Sequence, residues 1–161
     1  MELEKLKEIN PKFKVTLFTI PAKTTIDMLT WVEDNEYWVE IVQHGWDHHS
    51  NFECSNWTYE EASLALHRAA PYFKVKGFKA PGWQISDATL QALKDYGYWV
   101  ADQRYNDDRR PEGLPVFFTG INDYHGHTWD CNCNNGIHED WDNISYRVKT
   151  GSNFKFISEV V

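Results

Sequence analysis

Histidines cluster in two short stretches of the chain. The first is His44-Gly45-Trp46-Asp47-His48-His49, with three His and one Asp in six residues. His44 and His48 are four apart, so a helical turn would bring both imidazoles to one ion. Asp47 is close enough to act as a ligand or as a partner to a ligand. The second stretch is His125-Gly126-His127. In extended backbone, residues two apart point to the same side. One of that pair is expected to complete a metal site or to serve as general acid, and the spacing does not choose between them. A third stretch, Phe78-Lys79-Ala80-Pro81-Gly82-Trp83, places a cation, a Pro-Gly turn and an indole together. Each stretch also has a structural reading, as a polar loop, a turn or a core Trp.

These residues gain weight from where they fall. Lys14–Ile20 is β-branched and aromatic and ends at Pro21, as a buried strand does. Trp38–Val42 reads as a second strand running straight into His44. Val75–Phe78 and Tyr98–Ala101 read as further strands, and Val116–Phe118 with the stretch to Tyr124 as one or two more. Phe154–Val160 reads as a closing strand. Helices are expected over 2–10, behind Thr24 or Thr25, behind the capping box Thr58/Glu61, from Ser86 to the Gly97 stop, and over 138–147. Strands alternating with helices imply a parallel sheet, open or rolled into a barrel. Active sites of such folds sit at the carboxyl ends of the strands, where the three stretches fall.

At 161 residues and 18.9 kDa the chain is expected to form one domain, 1–161. A net charge of -8 argues against nucleic acid and against an anionic membrane surface as partner. There is no apolar run long enough for a membrane span, and the charged N-terminal residues do not resemble a signal peptide, so a cytoplasmic location is expected. Cys54, Cys131 and Cys133 are too few and too poorly spaced for a disulfide framework or a zinc knuckle, and read as free thiols in a reducing compartment. Neither a Gly-rich phosphate loop nor a Gly-x-Ser-x-Gly elbow is present.

In their order, the three stretches resemble the polysaccharide deacetylase family (carbohydrate esterase family 4, the NodB-homology domain). His44-x-x-x-His48 resembles its metal motif. Lys79-Ala80-Pro81 resembles its Arg-x-Pro motif, with Lys where Arg is usual. The His125/His127 segment resembles the late motif that supplies the catalytic His, and Thr16-Leu17-Phe18 resembles the second barrel strand. The resemblance implies an α/β fold, a distorted (β/α) TIM-like barrel. It also implies a hydrolase that removes N- or O-acetyl groups from a glycan. The implied cofactor is a divalent metal, zinc first and cobalt or nickel as alternatives, on His44 and His48. Catalytic work falls to His125 or His127, and to Asp47 or Asp123 as substitute base. Lys79, Pro81, Trp83 and Trp46 are the expected substrate contacts. The family's first strand, ending in an Asp-Asp pair, belongs upstream of helix 2–10. The chain begins at that helix, so the barrel is expected to be incomplete there, with exposed sheet edges that a homodimer would cover. The alternative is an inactive deacetylase-fold domain that binds metal or carbohydrate without turnover.

Overall fold

A computed structural model describes residues 2–119, 127, 136–137 and 140–161. Five parallel strands form one sheet in the order β1 (Val15–Thr19), β2 (Val39–His44), β3 (Gly77–Lys79), β4 (Trp99–Asp102) and β5 (Val116–Phe118). The connecting helices are α2 (Ile26–Asp34), α3 (Tyr59–Ala69) and α4 (Asp87–Asp95), with α1 (Glu2–Ile9) before the sheet and α5 (Trp141–Thr150) after it. The helix starts follow from the sequence. The Thr25, Thr58 and Ser86 hydroxyls each accept an N–H from the first helical turn, and Thr58 and Glu61 form a reciprocal capping box. Gly97, at φ +71°, ends α4.

Strand order equal to chain order has a geometric consequence. Right-handed crossovers that always step the same way put every connecting helix on the same face of the sheet. The packing agrees. The side chains of Val39, Ile41, Phe78 and Val100 meet the helices in three apolar clusters. The alternate residues Phe18, Val42, Trp99, Ala101 and Phe117 gather on the opposite, inner face with Trp83 and Ile157. Among the described residues the sheet runs from β1 to β5 without closing into a ring. No helix of the described residues is long and apolar enough to cross a membrane.

The inner face carries a polar anchor. Glu40 is 8 % exposed. It accepts the Thr16 hydroxyl at 2.7 Å, the Ser158 backbone N–H at 3.2 Å and the Ser158 hydroxyl. Thr16 Oγ1 in turn accepts the Ile157 N–H at 3.0 Å. This corrects one expectation. Residues 154–160 form no strand; they hold a short 3-10 turn, Ile157–Glu159, laid over the inner face. Their alternating aromatics resemble a strand, but their backbone N–H groups go to Glu40, Thr16 and a Glu159 carboxylate rather than to a neighbouring strand. The expected strand over 119–124 and the start of the helix expected over 138–147 lie mostly outside the described residues; α5 runs on to Thr150.

Gly77 is where the inner face is tightest. A Cβ there would run into the six-membered ring of Trp99, its strand partner. Gly77→Ala is therefore expected to destabilise the fold by about 1–3 kcal/mol through overpacking, read as a lower urea midpoint at unchanged slope. An unchanged midpoint would mean that Trp99 has room to move.

Candidate functional site

The β2 end turns sharply. Gly45 and His48 both take positive φ, +59° and +51°. At Gly45 a side chain would strike Glu53 and Pro81. The turn closes on Glu53, which is 6 % exposed and accepts the backbone N–H groups of Trp46, Asp47 and His48 at 2.9, 3.0 and 3.0 Å. A buried carboxylate satisfied by three N–H groups is a strong fixed point. It fixes the backbone from Trp46 to His48.

That turn splits the stretch. His44 is the last residue of β2 and faces inward, 6 % exposed, with its ring 4.9 Å from that of His48 in an edge-to-face pair and 6.4 Å from Phe18. Its Nδ1 lies 2.8 Å from the Lys79 carbonyl oxygen. A carbonyl only accepts, so Nδ1 carries the proton and Nε2 keeps its lone pair. Burial, then the Lys79 charge, push the His44 pKa down to about 3, with further contributions from His48 and His127. His44 is thus a neutral, oriented imidazole with one free nitrogen, the form in which His binds a metal. His127, also described, is close enough for its charge to act on His44, and is half-buried. His125 and Asp123 lie outside the described residues, as do Cys131 and Cys133.

Asp47 and Trp46 go elsewhere. They line a shallow groove against α3 with His49, Trp57 and Arg68. Asp47 Oδ1 takes the His49 Nδ1 at 2.7 Å and the His49 N–H at 3.1 Å. That bond holds the Asp47 carboxyl below the usual range and raises the exposed His49. Among the described residues, Asp47, His49 and Glu53 are the one set of three donor residues whose ligand atoms all lie within 4.8 Å of one another. Glu53 is committed to the turn and Asp47 to His49, so this set already has a structural task. His44 and His48 gain no third ligand of that reach among the described residues.

Lys79 ends β3 beside His44 in the sheet register. Its Nζ sits 4.2 Å from the Trp83 ring centre and 5.7 Å from that of Phe18. Burial pushes its pKa down to about 8. The turn that follows, Pro81–Trp83, holds Gly82 at φ +56° and Trp83 at φ +60°. Left-handed backbone is costly for a Trp, and here it carries the indole over Lys79. Pro81 is buried beneath Gly45 and serves the turn.

Two buried carboxylates escape a reading of the sequence. One is Glu53, a single acid in a polar loop, whose role exists only once Gly45 and His48 bend the backbone toward it. The other is Asp102 at the end of β4. It is 3 % exposed, and its carboxylate takes Arg104 Nε at 3.2 Å and an Arg110 terminal nitrogen at 2.9 Å. Burial raises its pKa, but the Arg104 and Arg110 hydrogen bonds outweigh that and hold it low. Cys54 is fully buried and burial raises its thiol pKa, so it is no nucleophile.

The neutral state of His44 has a measurable cost in acid. Its folded pKa lies below that of the unfolded chain, so the unfolded state binds the extra proton between pH 6.5 and about 3. Stability therefore falls as pH falls through that window, by up to about 5 kcal/mol from this group. His44→Phe is expected to flatten the slope of unfolding free energy against pH across it. A slope as steep as that of the parent would mean that His44 titrates normally.

No family model matches the chain, and no curated protein matches it.

Proposed function

We propose that the chain is a metal-dependent hydrolase that removes acetyl groups from a glycan, with its centre on the inner face at the carboxyl ends of β2 and β3. One observation carries this reading: His44 is buried, neutral, and locked through Nδ1 with Nε2 free, and His48 stands beside it. Their donor chemistry suits zinc, with cobalt or nickel as alternatives. Such an ion, when bound, polarises a carbonyl oxygen and makes a bound water more acidic.

The remaining roles belong to side chains. The Lys79 carbonyl fixes the tautomer of His44. Glu53 fixes the backbone that presents His48. His127, whose charge acts on His44, is the described candidate to protonate a leaving amine. Trp83 walls the site beside Lys79. The hydrolysis needs a base, and Asp47, tied to His49 and turned toward α3, is less suited to it than the sequence implies. That placement favours a second reading, a domain that binds metal or glycan without turnover.

The deciding experiment pairs metal content by elemental mass spectrometry with acetate release from chitin oligomers. About one equivalent of ion with chelator-sensitive release supports the hydrolase. Metal without release supports the binding domain. Absence of metal from protein purified and reloaded with zinc sinks both metal readings.

A further inference from the structure

The groove against α3 is built from groups that the metal centre does not use. Trp46 and Trp57 supply its indole surfaces, and Asp47, His49, Glu61 and Arg68 supply polar ones. It is a shallow trough of about 200 Å3. That is smaller than the enclosed pockets of drug-sized ligands and suits one ring laid flat. Glu53 holds the backbone N–H groups of Trp46, Asp47 and His48 together. One turn therefore carries a wall of the groove and, on its other side, His48 beside His44.

The polar groups of the groove are of both kinds. Arg68 lies over the Trp46 ring, its guanidinium carbon 5.8 Å from the ring centre, and among the described residues no carboxylate forms an ion pair with it. Its N–H groups only donate. Asp47 takes both His49 hydrogen bonds on Oδ1, and Glu61 takes the Thr58 N–H on Oε2 at 2.8 Å. A carboxylate has acceptor room beyond these bonds. The mixture disfavours most occupants. An anion would meet the carboxylates of Asp47, Glu53 and Glu61, and a cation would meet Arg68 on the Trp46 face. An apolar segment would strip water from Arg68, Asp47 and Glu61 and return no hydrogen bond. A neutral ring edged with hydroxyl groups answers donors and acceptors alike, and its C–H face lies against an indole.

We propose that this groove holds a neutral sugar unit, a neighbour in the glycan chain of the unit at the metal. This rests on the glycan-hydrolase reading and adds an accessory subsite to it, which makes the substrate a chain rather than a single sugar.

The test titrates zinc-free protein with the fully acetylated chitin trisaccharide and follows the indole N–H signals by NMR. Loss of a signal in Trp46→Phe and in Trp57→Phe assigns the two that matter. The trisaccharide is expected to move both saturably. The deacetylated, cationic trisaccharide and an anionic trigalacturonate are expected to bind more weakly. Arg68→Ala, on the exposed side of α3, should weaken binding of the neutral trisaccharide about tenfold and leave zinc uptake unchanged. Unmoved Trp46 and Trp57 signals, tighter binding of either charged trisaccharide, or undiminished binding by Arg68→Ala overturns the proposal. Acetate release from chitin oligomers without a response of the groove overturns the subsite and leaves the hydrolase standing. A response of the groove in a protein that takes up no zinc and releases no acetate overturns the hydrolase and leaves the sugar site standing.

Discussion

His48→Ala is expected to lower zinc affinity by more than about 100-fold, taking bound metal in the purified protein from one equivalent to essentially none. Loss of a mere orienting partner of a ligand already costs about 10–100-fold, and here one of two imidazoles is removed. The substitution is also informative about folding. His48 has a left-handed backbone, φ +51°, which Ala tolerates poorly, so some stability loss accompanies it. His48→Asn separates the two effects. Asn accepts the left-handed backbone and lacks the imidazole, so it should keep the fold and lose the metal. Full zinc occupancy in His48→Asn would remove His48 from the site.

The second large effect is on stability. Asp102→Ala strips the carboxylate from Arg104 and from Arg110, whose side chain is 10 % exposed. Arg110 Nε already lacks a partner. Its terminal nitrogen would keep only the Arg104 carbonyl, and its plane the Phe118 ring. Leaving such a buried charge unpaired costs about 3–5 kcal/mol. For a chain of this length that lowers Tm by about 10 °C. The pH dependence has a definite sign. The Asp102 pKa is lowered in the folded state, so its contribution is present above the ordinary carboxylate range and is lost as pH falls through the lowered value. Parent and Asp102→Ala should therefore converge in stability toward strong acid. A drop of less than about 1 kcal/mol at neutral pH would mean that water replaces the carboxylate and that the clamp is a surface feature.

The sequence makes helix starts legible because capping is local chemistry. Thr58 with Glu61, and Ser86 ahead of Thr89, need only three or four residues to be recognised. The parallel sheet is legible because strand-like runs alternate with helical ones along the chain, and β2, its second strand, is buried over its whole length. The ends of β3 are less so. A strand expected over Val75–Phe78 is found at Gly77–Lys79, because pairing of Lys79 with His44 and Ala101 sets its end, and Lys carries no strand signal of its own. The His44–His49 stretch reads as one cluster along the chain. It divides in space because Gly45, His48 and Glu53 bend the backbone, so that His44 and His48 turn inward while Trp46 and Asp47 line the α3 groove. The Phe154–Val160 segment has strand-like alternation, and its conformation is decided by Glu40, more than a hundred residues earlier.

That last contact bears on how the chain folds during synthesis. Ile157 and Ser158 reach Thr16 and Glu40 across separations of 141 and 118 residues. The helix-covered side of β1 and β2 can assemble as soon as α2 and α3 have emerged from the ribosome. The inner side keeps its Glu40 carboxylate in water until the segment around Ser158 arrives. Contacts of such long reach form late because loop closure must precede them. A nascent chain stalled before residue 157 should therefore carry a half-dressed sheet, open on its inner face, and protection of that face should come as the closing event of folding.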